Sequence, residues 1–203
     1  MASGLSAVPA ASVDLRALLE AQRKAVLAEG PPPAEVRIRR IDRLLDALLR
    51  NADGFVETLR EDFGHRSPAW SMVADVFGIV PSLKHSRDHV RKWMRPERRS
   101  AGPFGWMGGR AWIEWQPLGV VGIVSPWNFP VGLALQPLAQ AFAAGNRAML
   151  KVSEFTPRTS ELTRKVIAET FDPAEAVVVT GGPEVGAEFT KLAFDHLLFT
   201  GAT

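Results

Sequence analysis

The chain has 203 residues, 46% apolar and 23% charged, with a net charge of +2; this is the composition of a folded globular protein and excludes extended disorder. It contains no cysteine, so a disulfide scaffold, a thiolate nucleophile and cysteine-held metal are excluded within these residues. No apolar run approaches the ~18 residues that cross a bilayer, and no basic segment precedes the apolar residues at the N-terminus, so no membrane partner and a cytoplasmic setting are expected.

In chain order, 12–29 carries Leu15, Leu18, Leu19, Gln22 and Val26 at helical spacing, with Ser12 as the expected cap and Gly30 after the last turn. Pro31, Pro32 and Pro33 stop that helix because none offers an N–H. A second helix is predicted over 34–50, and a third from a cap at Asn51 to Phe63 and Gly64. Ser67 and Pro68 open a fourth helix running toward Arg95, with a kink at Pro81. Residues 100–109 read as a Gly-rich connector, and 110–116 (RAWIEWQ) as a strand.

From residue 118 the rhythm changes. GVVGIVS, RAMLKV, EAVVVTG and HLLFTG read as short buried strands, separated by helices over 131–144, 157–171 and 183–192. Short apolar strands alternating with helices predict a parallel sheet covered on both faces. The expected fold class is therefore α/β: a helical segment (1–99), a connector and strand (100–117), and a Rossmann-like βαβαβαβ sheet (118–203).

In open parallel sheets, ligands bind outside the carboxyl ends of the strands. The residues there are Ser125 to Pro130, Lys151 to Glu154, Thr180 to Pro183, and Thr200 to Thr203, and each stretch carries a glycine or a polar group able to bond a ribose or phosphate. Neither G-x-G-x-x-G nor G-x-x-x-x-G-K-[ST] occurs, so the residues by themselves define a nucleotide-sized site and no particular ligand. Gly181 and Gly182 read as a plain turn.

Residues 117–130 (PLGVVGIVSPWNFP), 143–154 (AAGNRAMLKVSE) and 194–203 (FDHLLFTGAT) resemble the aldehyde dehydrogenase superfamily, and within it the branch of coniferyl, fatty and aromatic aldehyde dehydrogenases. The resemblance implies oxidation of an aldehyde with NAD or NADP through a cysteine thiolate. It implies that Asn128 donates to the oxyanion and that Lys151 and Glu154 bond the adenosine ribose, Glu154 favouring NAD over NADP. It further implies that Ser125 and Trp127 line the cofactor cleft, and that Gly201 and Ala202 lie beside the pyrophosphate. Val152 and Ala202 stand where the family commonly has proline and serine. The family's nucleophilic cysteine, general-base glutamate and substrate domain have no counterpart in these residues. The expectation is a shortened aldehyde dehydrogenase chain, inactive by itself, with a non-catalytic nucleotide-binding or homologue-docking fragment as the alternative.

Other features have plainer readings. His85 and His89 have a metal-capable i, i+4 spacing but no evident third ligand, so no metal is expected. Residues 84–99 hold seven Lys or Arg against two Asp or Glu, and 1–100 hold 17 against 13; this excess is modest, and nucleic acid is not an expected partner. Trp112 and Trp115 read as packing or subunit-contact residues, so a homo-oligomer formed through 110–116 is expected along with the aldehyde substrate as partner.

Overall fold

The computed structural model describes residues 14–201. Helix α1 (Leu15–Glu29) is capped by Asp14, whose Oδ1 accepts from the backbone N–H groups of Arg16 and Ala17 at 3.0 Å. The cap expected of Ser12 falls outside the described residues, and Asp14 fills that role. Gly30 ends the helix at φ 67°, and α2 (Ala34–Arg50) starts behind the proline run. Asn51 does not cap α3 (Ala52–Phe63); its Nδ2 instead donates to the Ala47 carbonyl at 2.8 Å and so closes the end of α2.

The segment expected as one helix from Ser67 is four pieces: α4 (Pro68–Ser71), a π turn (Met72–Val76), a 3-10 turn (Phe77–Ile79) and α5 (Val80–Trp93). Pro81 causes no kink, because it lies in the first turn of α5 where its absent N–H is no loss. The break lies upstream, where a Cβ on Gly78 would stand 2.9 Å from the Val73 carbonyl oxygen. Only glycine allows that approach.

Strand β1 (Glu97–Arg99) pairs antiparallel with β2 (Ala111–Ile113), and a 3-10 turn (Gly102–Met107) joins them. The strand expected over 110–116 is thus shorter than the sequence suggested. Its partner went unrecognised because Glu97, Arg98 and Arg99 are all charged and exposed.

The main sheet is parallel with strand order β5–β4–β3–β6. Its strands are β3 (Val120–Val124), β4 (Arg147–Lys151), β5 (Ala176–Val179) and β6 (His196–Phe199), joined through α6 (Gly132–Ala143), α7 (Pro157–Thr170) and α8 (Pro183–Thr190). Side chains alternate between its faces. Val121, Ile123, Leu150 and Val178 enter the larger core, with Leu44 and Leu48 of α2, Leu83 of α5 and Leu138 and Phe142 of α6. Val120, Met149 and Val179 face the other way, onto Leu15 and Leu19 of α1 and Phe189 of α8. The helices near the N-terminus therefore form both covering layers of the sheet together with α6, α7 and α8.

Two polar devices fix these layers. Gln22 is fully buried, and its Nε2 donates to the carbonyls of Ala148 (3.0 Å) and Pro173 (2.8 Å), stitching α1 to β4. At the end of the sheet where β4 begins, Arg40 bridges Glu29 (3.1 Å) and Glu175 (2.8 Å), while Arg147 holds Glu29 at 2.6 Å. Burial raises the pKa of Glu175, but hydrogen bonding and charge from Arg40, then Arg43, outweigh it and leave the group below its ordinary range.

Gln22→Leu keeps the volume but leaves both carbonyls without this donor. The expected cost is about 1–3 kcal/mol, read as a lower denaturant midpoint at unchanged slope.

Candidate functional site at the carboxyl ends of the strands

Register brings the site residues together. Val124 of β3 stands opposite Lys151 on one side and Phe199 on the other, and Lys151 stands opposite Val179. The backbone N–H groups just beyond continue the ladder: Ser125 donates to Lys151 (3.1 Å), Val152 to Val179 (3.3 Å) and Thr200 to Val124 (3.0 Å). All four strand-end loops consequently leave from one edge.

A cleft of about 320 Å³ opens there, between the ends of β3, β4 and β6 and the length of α8. Ser125, Lys151, Glu154 and Gly182 line it. Its volume sits at the lower end of the roughly 300–1,000 Å³ typical of small-molecule sites. Lys151 is 3% exposed, and its Nζ donates to the Val152 carbonyl (2.7 Å) and to Glu154 Oε2 (3.4 Å). An ammonium has three N–H donors, so one remains for a bound group. Glu154 is half-buried. Ser125 is buried, and its Oγ has no hydrogen-bond partner. An orphaned hydroxyl on a cleft wall is a ready donor or acceptor for a ligand.

Gly182 and Pro183 also form the wall, and α8 starts there. Reading Gly181 and Gly182 as a bare turn missed this. The signal was available, since these residues follow β5 as Ser125 and Lys151 follow β3 and β4. Gly181 has φ 141°, and a Cβ there would meet Val185 at 2.6 Å, so the tight entry into α8 requires glycine.

The other expected residues lie outside that cleft's lining. Trp127 is 51% exposed and packs on Phe63, ring centroids 6.3 Å apart. Asn128 is exposed; its backbone carbonyl accepts from Arg66 Nη1 at 3.0 Å, and its side-chain amide bonds no other described residue. Gly201 follows β6 next to the ring of Phe199, and Ala202 lies outside the described residues. Ser125 and Asn128 leave the same strand three residues apart, so the cleft and the Asn128 loop adjoin.

Arg66 and Asp75, unremarked in the sequence, stand behind that loop. Arg66 Nη2 meets Asp75 Oδ2 at 2.5 Å, and Asp75 is fully buried. Burial pushes the Asp75 carboxyl up to about 6, against the opposing pull of Arg66.

Elsewhere, a cleft of about 850 Å³ runs between α1 and α8, rimmed by charges of both signs such as Arg16, Glu20, Glu188 and Lys191. It is remote from the strand ends and holds no orphaned polar group. The rings of His85 and His89 stack at 4.0 Å, and His89 Nδ1 bonds the His85 carbonyl. Among the described residues no group of three or more His, Asp or Glu could hold a metal. No described helix is long and apolar enough to cross a membrane.

Comparison with known proteins agrees with this fold. A sequence model of the aldehyde dehydrogenase family matches residues 5–203. The coniferyl aldehyde dehydrogenase of Pseudomonas sp. strain HR199 is 49% identical over 200 residues, covering 98% of this chain and 41% of that protein. The probable coniferyl aldehyde dehydrogenase of Caulobacter vibrioides is 50% identical over 188 residues, covering 92% and 39%. The chain thus spans about two fifths of these relatives. Among solved structures, substrate-bound AldH of Staphylococcus aureus superposes with a TM-score of 0.86 at 26% identity, over 92% of this chain and 40% of that one. Aldehyde dehydrogenase 21 of Physcomitrella patens shares the fold, with a TM-score of 0.79 at 23% identity over 95% and 40%.

The raised Asp75 pKa has a testable sign. The folded state binds this proton more tightly than the unfolded chain, whose value is 3.8, so this group's contribution to stability falls as pH rises from 3.8 to about 6. The stability of wild type minus that of Asp75→Asn is expected to fall by on the order of 2–3 kcal/mol between pH 4 and pH 7, measured by denaturant unfolding across that range.

Proposed function

The chain belongs to the aldehyde dehydrogenase family, and we propose that it supplies the cofactor-binding and oxyanion-binding share of an NAD-dependent oxidation of aromatic, coniferyl-type aldehydes. The family also accommodates long-chain aldehydes and NADP, and these are the nearest alternatives. The substrate assignment follows the two coniferyl relatives at 49% and 50% identity. The single observation that carries the cofactor assignment is the convergence of Lys151, Glu154 and the orphaned Ser125 hydroxyl on one strand-end cleft.

The residues present fit a dinucleotide's adenosine end. On this reading the remaining Lys151 donor and the Glu154 carboxylate bond the two ribose hydroxyls, and Ser125 Oγ takes a further polar group. Glu154 repels a 2′-phosphate, which selects NAD over NADP. Gly201 passes beside the pyrophosphate, and Trp127 closes the side toward the Asn128 loop. The bound cofactor would accept the hydride given up by the aldehyde carbon. Asn128 projects its amide from the adjoining loop, where a donor aimed at the developing oxyanion is worth about 2.7–4 kcal/mol. No cysteine occurs in the 203 residues, so this polypeptide by itself positions groups without forming the covalent adduct, and it is not expected to oxidise aldehydes.

The same reading divides the chain into a helical segment (1–99), a connector with a strand (100–117) and the cofactor-binding part (118–203). The connector is the proposed contact with a second copy, since Trp106, Trp112 and Trp115 are 95%, 55% and 64% exposed there. A cytoplasmic setting belongs to the same proposal.

Calorimetric titration tests the cofactor assignment. Wild type is expected to bind NAD more tightly than NADP. Lys151→Ala loses a charge-assisted hydrogen bond worth about 1.5–3 kcal/mol, which weakens NAD roughly 10- to 100-fold. Glu154→Gln narrows the NAD-over-NADP preference. Absence of NAD binding at millimolar concentration would reject the assignment.

A further inference from the structure

Arg66 sits in the turn after Gly64, between α3 and α4, and 62 residues before Asn128. Its guanidinium makes four contacts from one plane. Nη2 pairs with Asp75 at 2.5 Å, Nη1 donates to the Asn128 carbonyl at 3.0 Å, and the faces lie over the rings of Phe63 (4.6 Å) and Phe129 (5.3 Å). Only 11% of the side chain is exposed. Asp75 comes from the π turn, an irregularity frequent at functional sites.

The arrangement is costly. A buried ion pair stabilises a fold little more than apolar residues of the same volume would. Here it also leaves Arg66 Nε and Asp75 Oδ1 without hydrogen-bond partners. What the pair achieves is a grip on one peptide unit. Arg66 holds the carbonyl of Asn128 itself, Phe129 is clamped against the guanidinium, and the Phe129 carbonyl in turn accepts from Leu133 N at 2.9 Å. Pro130, which follows, is buried and fixes its own φ. The backbone is thereby held from the Asn128 carbonyl through Pro130, while the Asn128 side chain is exposed and hydrogen-bonds no other described residue.

We propose that Arg66, itself held by Asp75, is a positioning residue that aims the Asn128 amide at the reacting carbonyl oxygen. The proposal rests on the reading of Asn128 as the oxyanion donor. Lysine cannot replace Arg66, because a single ammonium lacks the planar fork that meets Asp75 and the Asn128 carbonyl while stacking on two rings.

The test is ¹⁵N relaxation on the 203-residue chain, comparing wild type with Arg66→Lys, Arg66→Met and Asp75→Asn, with thermal midpoints in parallel. In wild type the backbone of Trp127, Asn128 and Phe129 is expected to have order parameters near the rigid value of about 0.85. In both Arg66 variants these are expected to drop below about 0.6, while β3 and α6 keep their values. Asp75→Asn is expected to fall between, and Arg66→Lys is expected not to rescue. Loop order unchanged in Arg66→Met overturns the proposal. Wholesale unfolding of all three variants also overturns it, since it would mark the pair as a fold element only. The underlying reading is tested separately by titrating wild type with coniferyl aldehyde and following the Asn128 Nδ2 signals. Unmoved signals count against Asn128 as the donor and leave the relaxation result standing.

Discussion

The site depends on the parallel register of the central strands. Pairing Val124 with both Lys151 and Phe199 brings three strand ends to the same height, so their loops open onto a common space. A slip of one residue would turn Lys151 toward the opposite face and bury the wrong alternate set. Register is therefore protected from several directions. Both faces of β4 are buried, so every one of its side chains must fit. Gln22 locks α1 to the Ala148 carbonyl, and the Arg40, Glu29, Arg147 and Glu175 cluster ties the helices to the opposite end of the sheet.

The two ends of the sheet carry different chemistry. At the end where β4 begins, carboxylates and guanidiniums are matched against each other across α1, α2, β4 and the lead into β5. Buried polar atoms without partners occur at both ends: Gln22 Oε1 and Arg40 Nη1 at the first, and Ser125 Oγ, Arg66 Nε and Asp75 Oδ1 toward the carboxyl end. Leaving a buried polar atom unsatisfied costs about 1–3 kcal/mol. At the carboxyl end the Ser125 orphan belongs to a residue that lines the cleft, where a bound polar group would satisfy it.

Much of this was legible in the sequence. The strand–helix alternation after residue 118 indicates all four parallel strands, because short apolar runs between helices have few other solutions. Ser125, Lys151 and Glu154 follow those strands directly, where a parallel sheet binds its ligands. The remaining features have physical reasons for leaving no trace in the sequence. The break at 72–79 depends on a glycine meeting a carbonyl of its own helix, which no periodicity records. β1 is three charged residues whose pairing is decided by the hairpin. Asn51 can bond backward or forward, and the terminal carbonyls of α2 took it. Arg66 and Asp75 carry no motif, and their relation to Asn128 exists only after the helical segment docks beside the sheet.

The proposal that matters most is the strand-end cleft as the cofactor site. The most direct test is NAD titration of the isotopically labelled chain, followed by NMR residue by residue. Saturable shift changes are expected at Ser125, at Lys151 to Glu154, and from Gly182 along α8, with weaker effects from NADP. Changes confined to the cleft between α1 and α8, with Ser125, Lys151 and Glu154 silent, would contradict it.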